Sequence, residues 1–268
     1  MENYNSKCKD LSAEKIMSFL DESDLSDIFV FETINSTNTF GKELAKNGAK
    51  HKALVIANQQ TMGRGRLGRD FFSPPDTGLY MSIILRPEHL RNPDPSALTI
   101  IAGVAVCRVL ETICDKKPQI KWVNDIFLDG KKVCGILAEA GTDSNRLDYI
   151  IVGIGLNIST QSFPGELNKI AGSINQVISR SFVAAEIIKA FNQAIEICNI
   201  EQLIEEYKSY SMVLGKKISF TINDKTYEGI ATDINIEGNL IVRLENGDII
   251  TLKSGEVSLK SSNFASAD

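Results

Sequence analysis

Apolar and polar positions along the chain fall into blocks of two different periods. Residues 28–34 (IFVFETI) alternate as a strand does. Ser36 or Thr37 then offers an N-cap to a helix running through Glu43 and Leu44 to Lys46, with Gly48 placed to end it. ALVIANQQ (53–60) and LYMSIILRP (79–87) are apolar runs of strand length. Asp94-Pro95 supplies an N-cap and a first-turn proline for a helix from Ser96 to Cys114, whose nearly continuous apolar face predicts burial. Asp129-Gly130 between two apolar runs predicts a hairpin turn, followed by a strand over 132–139. DYIIVGIGLNIS (148–159) is a further buried strand. Residues 182–198 and 201–213 have helical spacing, the second helix ending at Gly215, and SAEKIMSFL (12–20) reads as a single short helix.

From Lys216 the pattern changes to short alternating runs. Asn223-Asp224, Glu237-Gly238-Asn239 and Asn246-Gly247 punctuate them, which predicts a small closed β-barrel of about five strands. The division this implies is an N-terminal extension over 1–27, a larger part over 28–215 and a barrel over 216–262. The larger part mixes strands and helices around one sheet, so the fold class is α+β.

Composition narrows the functions. The chain has 268 residues, 43% hydrophobic and 24% charged, with a net charge of -5. An acidic balance argues against a general nucleic-acid binder. The N-terminus has no apolar leader, and the longest nearly apolar stretch, Ala97 to Cys107, is too short to span a bilayer, so a cytoplasmic protein away from membranes is expected. Cys8, Cys107, Cys114, Cys134 and Cys198 form no CxxC pair and read as reduced, mostly buried thiols. His51 and His89, the two histidines, flank loop-like segments, which disfavours a zinc site or a histidine-based triad.

Against that acidic background, QTMGRGRLGR (60–69) concentrates arginines and glycines. Gly63, Gly65 and Gly68 spell GxGxxG, but Pro74-Pro75 follows where a dinucleotide fold needs a helix N-terminus. The alternatives are a solvated basic loop or a phosphate clamp, disordered when empty and wrapping when filled. Glycines give such a loop its freedom and arginines give forked donors. In KWVNDIFLDGKKVCGILAE, Lys121, Lys131 and Lys132 lie near Asn124 and Asp125 across the predicted hairpin, and strand alternation puts Lys132 on one face with Cys134. Gly153 and Gly155 share one side of their strand; with Gly135 they outline a smooth trough for a flexible aliphatic chain.

STN (36–38), QTMGRGRLGR, KWVND (121–125), KKVCGILAE (131–139) and GIGLN (153–157), in this order and with GEVSLK near the C-terminus, resemble the biotin–protein ligases, the biotin–[acetyl-CoA-carboxylase] ligase family. The resemblance implies the catalytic fold shared by biotin and lipoate ligases and related to class II aminoacyl-tRNA synthetases, followed by an SH3-like barrel. It implies activation of biotin by ATP to biotinoyl-5′-AMP with release of pyrophosphate. Transfer to a lysine of a biotin carboxyl carrier domain of acetyl-CoA carboxylase then follows. Biotin, ATP and Mg²⁺ are the implied small molecules, and monomers and homodimers both occur.

By the same resemblance Ser36, Thr37, Asn38 and Gln60 hold biotin. Gly63, Arg64 and Arg66 close on it. Lys132 meets the biotin carboxyl and the α-phosphate and is, with Arg64 and Arg66, the catalytic group. Gly135, Gly153 and Gly155 form the trough. Arg66, Arg69, Lys121, Asn124 and Asn157 fall on the ATP side. Asp125 is there too, as a candidate Mg²⁺ ligand, and Phe71 stands where an aromatic packs on adenine. Two departures stand out. Val123 occupies the usual proline position of KWPND, which loosens that turn. The extension before the first strand is too short for the DNA-binding winged helix of bifunctional members, which implies the monofunctional type. A lipoate–protein ligase and a non-catalytic biotin-responsive regulator are the competing readings. The arginine loop counts against the first, and that loop together with an intact Lys132 counts against the second.

Overall fold

The computed structural model describes residues 10–24, 26–144, 146–197 and 199–259. The elements run α1 (Ala13–Met17), β1 (Ile28–Ile34), α2 (Thr37–Lys46), β2 (Ala53–Gln60), β3 (Gly78–Leu85), α3 (Pro95–Cys114), β4 (Gln119–Lys121), β5 (Asp125–Leu128), β6 (Lys131–Asp143) and β7 (Arg146–Asn157). They continue with α4 (Leu167–Ile170), α5 (Arg180–Ile197), α6 (Ile200–Tyr210), β8 (Lys217–Ile222), β9 (Lys225–Ile234), β10 (Leu240–Leu244), β11 (Ile249–Leu252) and β12 (Val257–Leu259).

The first seven strands form one mixed sheet in the order β1-β2-β3-β7-β6-β5-β4, parallel between β1 and β2 and antiparallel elsewhere. Its two faces differ. Leu79, Met81, Ile83, Val152, Ile154 and Leu156 point into the main core with α3 and α5. Their alternates Ile84, Tyr149 and Ile151 meet α2 on the other face. Further along that second face the strand positions hold Tyr80 and Ser82, Gly153 and Gly155, Gly135 and Leu137. There the helix cover stops and a cavity opens.

Local signals place most elements as expected. Asp94 caps α3 by accepting from Ser96 N at 2.9 Å. Asp129 and Gly130 have φ of 50° and 74°, the left-handed pair that a two-residue hairpin needs. By length and composition α3 is a helix that could cross a membrane, but it is the core helix, with most of its residues buried between the sheet and α5. The Trp122–Val123 peptide is cis.

Several expectations need correcting. The second C-terminal helix stops at Tyr210, not 213, because the next residues pair with β4: Met212 N donates to Ile120 O at 3.0 Å. α1 is confined to Ala13–Met17, and its Ile16 is buried together with Leu11. Asp10 anchors this segment through the buried Arg180, whose Nε lies 2.9 Å from Asp10 Oδ2. The five C-terminal strands, by contrast, form the small second β unit that was expected, antiparallel in the order β11-β10-β9-β8-β12. Its apolar interior continues into the main core: Trp122 Nε1 donates to Gly238 O at 3.0 Å, and Gly238 packs against Ile100 of α3. Cys107, Cys114 and Cys134 are buried free thiols, whereas Cys8 and Cys198 lie outside the described residues. Burial pushes the thiols of Cys107 and Cys134 up, which keeps them protonated and unreactive.

Candidate active site

The cavity beyond α2 has a volume of about 420 Å³, in the range of small-molecule sites. The sheet forms one wall, the loop after β2 a second, and residues 255–259 of the C-terminal sheet a third. Among the sequence-predicted residues, Ser36, Thr37, Asn38, Gln60, Arg64, Arg66, Arg69, Phe71, Lys121, Asn124, Asp125, Lys132, Gly135, Gly153, Gly155 and Asn157 all line it. Gly63 does not. It stands behind the loop, its Cα facing Phe71 O and Ser73 Oγ so closely that no side chain fits.

Lys132 reaches the cavity through a register slip. Ile126 of β5 pairs with Cys134, but Phe127 pairs with Lys132, which leaves Val133 without a partner. A bulge of this kind re-aims the side chains beyond it. Strict alternation would have put Lys132 on one face with Cys134, as the sequence suggested. Instead Lys132 lies over Gly135, its Nζ 3.6 Å from where a Cβ there would stand, while Cys134 is buried toward α3. Lys131 turns away to the carbonyls of Asn168 and Lys169.

The head of α2 is held by a chain of hydrogen bonds. Gln60 Oε1 accepts from Thr37 N at 2.8 Å and Thr37 Oγ1 at 3.1 Å, and Gln60 Nε2 donates to Ser73 Oγ. Ser82 Oγ, fully buried on β3, faces Thr37 Oγ1 at 2.8 Å and Asn38 Oδ1 at 2.7 Å. Ser36 is the N-cap residue by backbone, yet its side chain makes no capping bond.

The glycine positions of the sheet are occupied by this chain's own groups. A Cβ on Gly155 would stand 2.6 Å from the Phe71 ring, and one on Gly135 would stand 3.3 Å from it. A Cβ on Gly153 would strike the Asn38 amide. The floor is therefore an aromatic ring seated on two glycines beside a fixed amide, rather than an open trough.

The arginine loop is folded. Phe71 N donates to Gly63 O at 2.8 Å and Gly65 N to Arg69 O at 2.7 Å, and Leu67 takes a left-handed φ of 55° at its tip. Each guanidinium has a protein partner. Arg64 Nη2 lies 3.3 Å from Glu139 Oε1, and Arg69 Nη1 lies 2.5 Å from Glu256 Oε1. Arg66 Nη1 reaches two neutral acceptors, Asn124 Oδ1 at 3.2 Å and Gly255 O at 3.3 Å. Glu139 also takes Lys42 Nζ at 2.7 Å and Asn38 Nδ2 at 2.9 Å. Burial pushes its carboxyl up, but the bonds from Lys42 and Asn38 and the charges of Lys42 and Arg64 outweigh that and hold it below the usual range.

Lys132 Nζ is 2.7 Å from Asp125 Oδ1, an ion pair that lacks the alignment of a hydrogen bond. Asp125 Oδ1 and Asn157 Oδ1 are the buried side-chain polar atoms without a hydrogen-bond partner among the described residues. Both are hard oxygens, the donor type that magnesium takes, and both residues line the cavity, but Asp125 Oδ1 already faces the Lys132 ammonium and no cluster of three acidic, histidine or cysteine ligands exists among the described residues.

Ser82, Glu139, Lys42 and Glu256 were not singled out from the sequence as site residues. Ser82 and Glu139 did leave a signal, as polar side chains at period two from Tyr80 and Leu137 in apolar strands. Glu256 left none, because its partner is 187 residues away.

Comparison with known proteins agrees with this geometry. Residues 30–157 match the biotin/lipoate A/B protein ligase family, and residues 213–260 match the biotin protein ligase C-terminal domain. The bifunctional ligase/repressor BirA of Bacillus spizizenii is 35% identical over 242 residues, which span 85% of this chain and 72% of that protein. The biotin–[acetyl-CoA-carboxylase] ligase of Mycobacterium tuberculosis is 28% identical, over 83% of this chain and 85% of that one. The biotin protein ligase of Aquifex aeolicus, solved with biotin and ATP, superposes with a TM-score of 0.75 at 26% identity, covering 88% of this chain and 99% of that one. With the BirA relative matched over most of both chains and both sequence regions assigned, the chain belongs to the biotin/lipoate A/B protein ligase family.

Proposed function

We propose that this chain is a biotin–protein ligase. It activates biotin with ATP and passes the biotinoyl group to a lysine of a biotin carboxyl carrier domain of acetyl-CoA carboxylase, in the cytoplasm. The observation that supports this reading best is the cavity itself: Lys132 on the sheet wall faces the arginine loop across an aromatic-floored space of small-molecule size. The match of residues 213–260 to the biotin protein ligase C-terminal domain favours biotin over lipoate.

In the first step a carboxylate oxygen of biotin attacks the α-phosphorus of ATP. The new C(O)O–P bond forms as the bond to the β-phosphate oxygen breaks, and pyrophosphate leaves. Two anions must meet, so fixed cations lower the barrier by compensating charge that grows in transit. Lys132 and Arg66 are placed for that work. Arg66 matters most electrostatically, because the acceptors that hold it are neutral and its charge is not cancelled. Asp125 and Asn157 would hold a magnesium ion arriving with the nucleotide, which supplies further charge neutralisation. Thr37, Asn38 and Gln60, locked by Ser82 and Ser73, orient the head group, and Phe71 offers a flat apolar face. In the second step the carrier lysine amine attacks the acyl carbon, AMP leaves, and the amine loses a proton to solvent or to Asp125.

The test uses purified protein. Incubation with biotin and ATP should release pyrophosphate, and adding a carrier domain should raise its mass by one biotinoyl group. Pyrophosphate release with lipoate but not biotin would reassign the substrate, and none with either would reject the ligase reading.

A further inference from the structure

The cavity depends on a residue that does not line it. Glu139 lies on β6 two positions beyond Leu137 and four beyond Gly135, on the cavity face of the sheet. Its side chain is 18% exposed, and three groups converge on it: Lys42 Nζ and Arg64 Nη2 on Oε1, and Asn38 Nδ2 on Oε2. Two of these, Asn38 and Arg64, line the cavity.

We infer that Glu139 is a positioning residue for the adenylation step, acting through Arg64. This rests on the ligase reading above. A guanidinium is a planar fork of five donors. Glu139 takes one edge, through Nη2 at 3.3 Å, and leaves the rest of the group at the cavity wall, where Arg64 is half exposed. An arginine on a glycine-rich loop otherwise samples many rotamers. Anchoring one edge removes that entropy before a ligand arrives and fixes where the remaining donors sit.

The three partners of Glu139 depend on it unequally. Asn38 keeps Ser82 Oγ on its Oδ1 and Leu137 O on its Nδ2, so it stays oriented without the carboxylate. Lys42 belongs to α2 and its ammonium is within reach of water. Arg64 has no other ion-pair or side-chain hydrogen-bond partner among the described residues. Loss of the Glu139 charge therefore falls mainly on Arg64. Lys42 shares Oε1 and keeps the carboxylate ionised. The arrangement is an anchor rather than a competitor: if Glu139 merely sequestered Arg64, its removal would strengthen ligand binding.

A double-mutant cycle on biotin-dependent pyrophosphate release tests this. Glu139→Gln should lower kcat/KM for biotin by about tenfold to a hundredfold, the scale of a misplaced binding group. Its melting temperature should stay within a few degrees of wild type. In an Arg64→Ala background the same Glu139→Gln change should cost less than about threefold, because the residue through which it acts is gone. An equal loss in both backgrounds would make Glu139 structural and overturn the inference, as would unchanged or improved kcat/KM in the single variant. Should Glu139→Gln fail to fold, Glu139→Asp takes its place in the same cycle, with the same dependence on Arg64 required. Inactive wild-type protein would instead reject the ligase reading, a result distinguishable from any of these.

Discussion

The two principal walls of the cavity are built differently. The sheet wall is set by backbone registers: β5, β6 and β7 place Asp125, Lys132, Gly135 and Gly155 through antiparallel ladders and one slip at Val133. The loop wall, residues 61–73, has little ladder of its own. It is held by side-chain contacts to three separate places: Glu139 on β6, Asn124 before β5, and Gly255 and Glu256 at the edge of the C-terminal sheet. A rigid wall can present a charge at a fixed point, whereas a tethered wall can open and reclose over a ligand that must enter and leave. The difference teaches that the C-terminal sheet is part of the site. It supplies neutral and acidic acceptors that orient arginines far away in sequence.

The comparison makes distinct demands on variants of each wall. On the sheet wall, Lys132→Ala removes a charge from a fixed position and should slow pyrophosphate release by about 10²–10³-fold while leaving the melting curve in place. Near-normal turnover would remove Lys132 from the mechanism. A gentler break of the same wall is Gly155→Ala. Its Cβ would stand 2.6 Å from the Phe71 ring, so the ring must move or the strand must shift, a strain of about 1–3 kcal/mol that a urea titration would read. Gly135→Ala, at 3.3 Å from the same ring, should cost less; the reverse ranking would mean that the ring is not seated as described.

On the loop wall, Glu256→Ala cuts an exposed ion pair, so global stability should change by no more than about 1 kcal/mol. The loop should nonetheless loosen, and limited trypsin digestion should cut at Arg64, Arg66 or Arg69 several-fold faster than in wild type. Raised salt, which screens exposed pairs, should act in the same direction. Equal digestion rates would show that the C-terminal sheet does not hold the loop.

The smallest effect lies away from both walls and serves as a control. His51 packs on the His89 ring with centroids 4.8 Å apart, and its Nδ1 accepts from Arg86 N. Burial, then the neighbouring His89 and Lys52, depress its pKa from 6.5 to about 4, with Glu88 opposing. The unfolded chain therefore binds a proton in that window that the folded chain refuses, and stability falls as pH drops from 6.5 toward 4. His51→Gln should flatten urea midpoints between pH 7 and pH 5. Glu139 adds its own loss only at lower pH, as acid reaches its depressed carboxyl.

Much of the fold was legible in the chain because it is local. The Asp94-Pro95 cap, the Asp129-Gly130 turn and the alternation of β7 each depend on neighbours within a few residues, and each stands where the pattern put it. The arginine loop was legible as a concentration of guanidinium donors on a glycine-rich segment, and Arg64, Arg66 and Arg69 do line the cavity. Lys132 lines the cavity as expected, but its shared face with Cys134 was misread for a physical reason: a one-residue slip at Val133 reverses every side chain beyond it, and alternation carries no trace of a slip. The end of α6 was likewise decided by the pairing of Met212 with Ile120, not by helix-forming tendency.

By itself, then, the chain determined which residues carry charge, which segments turn and which faces are greasy, because these follow from composition and short-range spacing. Tertiary structure alone decided which carboxylates meet which cations. Glu139 with Arg64 and Glu256 with Arg69 are pairs made by strand register and by the docking of a second sheet. Electrostatic contacts act over a few ångströms of space, and separation along the chain does not encode that distance.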